Sequence, residues 1–189
     1  ADPEFAERAH IINMGGALTV PGNVTPWAEA NINQDPEAAD MVFRNAADIT
    51  MIGLDVTLQT LLTREETATW EALGTTGGDF LAAATNYYIG AYDEIAPYLG
   101  GCGLHDPLAA AVAVDPTLVT TLDINLKTDT EGETRGRTIG DETRLNNAEK
   151  TAHVAVGVDV ARFLAEFMRR LTSLAASTPS SLGEGGSLH

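Results

Sequence analysis

IINMGGALTVPGNVTPWAEANINQDPE, residues 11–37, is the stretch from which the rest of this chain is read. The apolar run His10-Ile11-Ile12 has the character of a buried strand in an α/β sheet. It ends in Met14-Gly15-Gly16, where two glycines permit backbone shapes that a side chain would forbid. About twenty residues then follow with no helical or strand period, broken by Pro21-Gly22 and Thr25-Pro26. Within them lie Asn23, Glu29, Asn31 and Asn33. Asp35-Pro36-Glu37 predicts a helix start, with Asp35 as N-cap and Pro36 in the first helical position. A loop of this length in a compact domain is usually either functional or disordered. Open α/β sheets bind ligands in the loops beyond the carboxyl ends of their strands. Amides and a carboxylate in such a loop suit a hydroxyl-rich ligand, because together they donate and accept. The alternative is a surface loop whose Asn and Asp residues merely make turns.

Outward from this stretch, residues 35–47 predict an amphipathic helix with Ala38, Met41, Val42 and Phe43 as its apolar stripe. Ile49 to Leu54 reads as the next buried strand, with Asp55-Val56-Thr57 at its carboxyl end. Thr63-Arg64-Glu65-Glu66 is a capping box opening a helix to about residue 73. After a flexible break at 74–78, a longer helix is expected over 79–98, with Tyr88 and Tyr92 on one face. Packing in the core, with a hydroxyl reaching water, would also account for those tyrosines. Gly100 to Gly103 is a tight turn, and 108–114 a short buried helix. Residues 118–126 alternate loosely as a strand. The acidic loop 129–133 is read as solvated and returns through 134–139. A last strand at 153–156 leads to a helix over 160–171. The Ser/Gly/Pro-rich tail 173–189 reads as disordered, leaving 1–172 as one domain. The class is α/β with a mixed sheet.

With 189 residues, 44% of them apolar, the chain is large enough to bury a core. Its net charge of −16 argues against a nucleic-acid or anionic-membrane surface, both of which need a basic face. A single cysteine, Cys102 among glycines, excludes an internal disulfide and any multi-cysteine metal site. No signal peptide or long apolar run is visible, so the cytoplasm is the expected compartment. The chain has no initiating Met, and its first helix feeds directly into the first strand. Both features lead us to expect further sequence upstream.

His105-Asp106 is the second candidate constellation, at the end of the glycine turn and the start of a helix. Adjacent side chains diverge on a regular backbone, so the pair would serve two neighbouring functions, one acid–base and one metal-binding. A turn histidine beside an N-capping aspartate is the structural alternative.

Taken together, several motifs resemble the inosine-uridine-preferring nucleoside hydrolases. They are Met14-Gly15-Gly16, Gly22-Asn23-Val24-Thr25-Pro26, Ala28-Glu29, Asn31-Ile32 and Asp35-Pro36-Glu37-Ala38-Ala39, then Gly53-Leu54-Asp55-Val56-Thr57 and His105-Asp106-Pro107-Leu108-Ala109. The similarity runs from about residue 2 to about 171. It implies a mostly parallel, Rossmann-like sheet flanked by helices, incomplete at its N-terminal side, and dimers or tetramers. It also implies hydrolysis of the N-glycosidic bond of a ribonucleoside, giving ribose and a free base, with a calcium ion as cofactor. Carried over by matching motif, Asp106 would be a calcium ligand and His105 the general acid facing the base. Asn23, Glu29 and Asn31 would bind ribose hydroxyls, Met14 would line the sugar pocket, and Tyr88 and Tyr92 would lie on the base side.

Three departures bear on this expectation. The family's Asp-x-Asp-x-Gly-x-Asp-Asp cluster, which supplies most calcium ligands and the catalytic base, is absent from these residues. Ala30 stands where the family has Phe, and Leu58 where it often has His. Calcium takes six to eight oxygen ligands, so Asp106 alone cannot hold it. The leading expectation is therefore a carboxyl-terminal portion of a ribonucleoside hydrolase, catalytically incomplete by itself. The competing one is a non-catalytic module that binds ribosides or oligomerises.

Overall fold

The computed structural model describes residues 3–180. In chain order the elements are α1 (Pro3–Arg8), β1 (His10–Met14), α2 (Ala30–Gln34), α3 (Pro36–Asn45), β2 (Asp48–Ile52), α4 (Leu54–Thr57), β3 (Leu61–Leu62) and α5 (Arg64–Glu71). They continue with α6 (Thr76–Ile95), β4 (Cys102–Gly103), α7 (His105–Val114), β5 (Val119–Ile124), β6 (Leu126–Thr128), β7 (Thr138–Gly140), β8 (Ala152–Val158) and α8 (Val160–Ala176). The described residues divide into two compact units. One comprises the chain up to Thr60 together with His105–Val160, the other Leu61–Leu104 with the residues from Ala161 on.

The first unit is built on a four-stranded sheet of order β1-β2-β8-β5. β1, β2 and β8 run parallel, and β5 joins β8 antiparallel. The sheet is thus mostly parallel, as the resemblance implied. β2 shows why its sequence is nearly continuous in apolar residues: Ile49, Met51 and Ile52 are completely buried, as an inner strand covered on both faces requires. Ile49 and Met51 form a core cluster with Ile32, Phe43, Ala46, Leu126, Ala152 and Val154, each large side chain contributing about 1.5–3 kcal/mol of burial. Asp35 caps α3 as expected, accepting from Ala38 N at 2.9 Å.

Several boundaries differ from the sequence reading. The aperiodic stretch 15–34 contains a helical turn, α2, whose N-cap is Glu29, so Asn31 and Asn33 lie on a helix rather than in a loop. The expected stripe of α3 is rotated. Met41 and Val42 are 61% and 41% exposed and Ala38 is exposed, whereas Ala39, Phe43 and Ala46 make the inward line at the i, i+4, i+7 spacing. Residues 118–126 are not one strand. Asn125 interrupts them, buried with its side-chain amide donating to the carbonyls of Arg144 and Glu149, and β6 beyond it pairs with β7 in a separate hairpin. α7 begins at His105, three residues earlier than predicted.

In the second unit α5, α6 and α8 pack around Trp70, which is 1% exposed. Its indole Nε1 donates to Thr172 Oγ1 at 3.0 Å and its ring meets Phe167 edge-on. The capping box of α5 is present in full, with Thr63 and Glu66 exchanging hydrogen bonds. α6 starts at Thr76 because Thr75 caps it, and ends at Ile95 as the chain approaches Pro97. Cys102 is buried in the short β3–β4 pair, a packed small side chain as the glycine turn suggested. The tail expectation needs correction over 173–180. α8 continues to Ala176 with Ala175 buried, Thr75 Oγ1 donates to Ala175 O at 2.9 Å, and Ser180 bridges Thr75. Composition alone missed this, because the anchoring residues lie a hundred positions upstream. The remaining part of that tail, 181–189, lies outside the described residues.

Candidate functional site

The carboxyl ends of β1 and β2 are joined by backbone hydrogen bonds. Gly15 N donates to Ile52 O at 3.2 Å, and Leu54 N to Gly16 O at 2.9 Å. Gly16 has φ +89°, and a Cβ there would stand 2.8 Å from Met51 Sδ. Only glycine lets the two strand ends approach this closely.

Two buried carboxylates shape the loop that follows. Asp55, in α4 just past β2, accepts from Leu18 N at 2.9 Å, Thr19 N at 2.7 Å and Thr19 Oγ1 at 2.6 Å. Glu29, 2% exposed, accepts from Gly16 N at 2.9 Å, Asn31 N at 2.9 Å and Ile32 N at 3.1 Å. The first pins the descending limb of the loop to β2. The second closes it onto β1 and caps α2. Asn23 Oδ1 adds a tie to Ala30 N at 2.9 Å, and Ala28 O gathers the N–H groups of Asn23, Val24 and Thr25. Behind the loop the β6–β7 hairpin lends support, with Gly136 against Ala28 and Asn33 and Arg137 over the Trp27 ring at 5.8 Å.

Met14, Glu29, Asn31 and His105 come together here. Asn31 Nδ2 donates to Met14 Sδ at 3.2 Å and, at 3.4 Å, to Met14 O. α7 packs on β1, β2 and α4, which brings His105 to the same strand ends. Its Nδ1 is 2.7 Å from Thr57 Oγ1. Burial pushes the imidazole pKa below its ordinary value, while the negative charges of Glu29 and Asp106 act on the ring in the opposite sense. Asp106 is exposed in the first turn of α7. Tyr88 and Tyr92 belong to the second unit, where their rings meet edge-on at 5.1 Å. Burial, aided by a hydrogen bond with Tyr88, raises the Tyr92 phenol well above its usual pKa.

Asp55 and Thr57 are the positions at this junction that residue-by-residue reading left without a role. The signal was their place, immediately after Gly53 at the end of β2. Among the described residues no group of three or more His, Cys, Asp or Glu side chains could hold a metal ion. Asp106 is thus not part of such a group.

The chain thus has an α/β unit that places a buried carboxylate and a half-buried imidazole at the carboxyl ends of parallel strands, the position at which proteins of the open-sheet class bind ligands. Residues 1–165 match the family described as inosine-uridine preferring nucleoside hydrolase, and the chain belongs to that family. It is 36% identical over 171 residues to the pyrimidine-specific ribonucleoside hydrolase RihA of Salmonella newport (strain SL254), covering 89% of this chain and 55% of that protein. The solved purine-preferring ribonucleoside hydrolase of Gardnerella vaginalis is 65% identical with a TM-score of 0.90, over 92% of this chain and 55% of that one. A plant nucleoside hydrolase, the PpNRh1 enzyme, is 34% identical with a TM-score of 0.82, over 91% and 56% respectively. The chain spans about half the length of these relatives. Its mostly parallel sheet flanked by helices is the fold of the solved nucleoside hydrolases.

Proposed function

We propose that this chain carries the ribose-facing part of a ribonucleoside N-ribohydrolase site. The observation that carries the reading is the meeting of Asn31, Met14, the buried Glu29 and His105 at one pair of strand ends, in a chain of this family. On this reading Asn23, Glu29 and Asn31 hold the sugar hydroxyls. Glu29 also supplies negative charge where an oxocarbenium-like transition state develops positive charge. His105 stands as the acid–base group for the departing base. Asp106 would be one ligand of a divalent cation, calcium as the family resemblance implies, with the other ligands drawn from outside the described residues.

The 65% identity to a purine-preferring hydrolase makes a purine ribonucleoside the first substrate to try, and the name of the Salmonella relative makes uridine the necessary comparison. Titration of the 189-residue chain with inosine, uridine and ribose by calorimetry tests recognition. Release of reducing sugar in calcium-containing buffer tests chemistry. The reading expects inosine to bind with loss of affinity in Asn31→Ala, and no turnover without added ligands for the cation. Absence of binding to any riboside would refute it, and turnover by the chain alone would refute its incompleteness. A second reading, a riboside-binding module without catalysis, draws on the lack of a metal-holding cluster among the described residues. It would be favoured if supplying the missing ligands restored no turnover.

No membrane-crossing helix occurs among the described residues.

A further inference from the structure

Thr57 sits in the single helical turn α4, and its side chain is completely buried. Its backbone carbonyl accepts from Thr60 Oγ1 at 3.0 Å. Its hydroxyl lies 2.7 Å from His105 Nδ1, and among the described residues that nitrogen is the hydroxyl's hydrogen-bonding partner. An imidazole nitrogen can either donate or accept, but a hydroxyl hydrogen in a dry site needs an acceptor. If Nδ1 carried the proton, it would point at the threonine oxygen and the hydroxyl hydrogen would be stranded. With Nδ1 as acceptor, both groups are satisfied and the ring proton resides on Nε2.

We propose that Thr57 is a positioning residue that fixes His105 as the tautomer protonated on Nε2. The placement suits the task. Gly53, which starts α4, is held against Gly16 by close packing, since a Cβ on Gly53 would stand 2.7 Å from Gly16 O. The hydroxyl is thereby carried by the same rigid junction that orders the loop, and the ring is oriented by the framework rather than by solvent. Nε2 becomes the nitrogen that carries the proton of the neutral ring. The consequence for catalysis rests on the hydrolase reading above, whereas the tautomer does not.

The experiment separates the two. The full 189-residue chain, labelled with nitrogen-15 in histidine, is observed by long-range proton–nitrogen correlation at an alkaline pH where the imidazoles are neutral. The His105 signals are identified by their loss in His105→Asn. The expected spectrum shows an unprotonated Nδ1 and a protonated Nε2, retained in Thr57→Ser and replaced by a mixture of tautomers in Thr57→Val. A protonated Nδ1 in the unaltered chain would overturn the proposal, and so would a Thr57→Val spectrum unchanged from it. If Thr57→Val does not fold, the unaltered chain decides alone. Nucleoside turnover plays no part in this readout, so failure of the hydrolase reading would leave the result standing.

Discussion

Glu29 and Asp55 each spend a carboxylate on backbone N–H groups, and this sets what substitution of either would do. The Glu29 oxygens together accept three such bonds in a site 2% exposed. In Glu29→Gln one oxygen becomes an NH2 group that faces a donor, leaving at least one buried N–H without a partner. The expected loss is about 1–3 kcal/mol of folding stability, measured by urea unfolding. A purely ligand-facing glutamate would show no such loss. Sequence inspection picked out Glu29 because its residue type and loop suited a polyol. It could not show that the same side chain ties the loop back to β1, because that depends on Gly16 arriving from thirteen residues upstream. Asp55 was visible as a letter in a motif. Its partners Leu18 and Thr19 lie more than thirty positions away, so no local pattern could link them.

The β6–β7 hairpin shows the same division one level up. A polar loop between two short extended runs is legible as a hairpin, but the strand before it ends at Ile124, short of the alternation that predicts it to 126. Asn125 has no local reason to break a strand. It does so because its side chain is occupied by Arg144, Glu149 and Thr151. Asp141 anchors the end of the hairpin. Its side chain is fully enclosed, and its Oδ2 accepts from Arg44 Nη1 at 2.7 Å and from Arg144 Nε at 2.7 Å. Burial alone would raise its pKa, but bonds from Thr143 and Arg144 and the charge of Arg44 hold it at about 2, against an ordinary 3.8. A carboxylate whose folded pKa is depressed contributes stability that is complete above the unfolded value and lost as pH falls through the folded one. Stability attributable to Asp141, on the order of 2 kcal/mol, should therefore be whole above about pH 4 and vanish toward about pH 2. The difference between the unaltered chain and Asp141→Asn in denaturant midpoint across that range checks this. A difference that stays constant with pH would contradict it.

With 27 acidic against 11 basic residues, the chain as a whole repels itself. Exposed ion pairs such as Arg64–Asp93 and Arg135–Glu37 are worth little individually and offset only part of this. Raising NaCl from about 0.01 M to about 0.15 M shortens the screening length from about 30 Å to about 8 Å. The urea midpoint should rise as repulsion is screened, and a fall would mean that the ion pairs outweigh it.

The parallel direction of β1, β2 and β8 was implied by the family resemblance, while composition, apolar periodicity and the punctuation of Gly, Pro and capping residues sufficed for the α/β class, the strands themselves, the cap of α3 and the capping box of α5. All of these depend on interactions within a few residues or on burial averaged along a strand. The extra turn α2, the inward face of α3, the extension of α8 and the meeting of Thr57 with His105 were decided only by tertiary structure. Each rests on hydrogen bonds or packing between segments tens of residues apart, and in each a local preference yielded to the need to satisfy a buried polar group or fill the core.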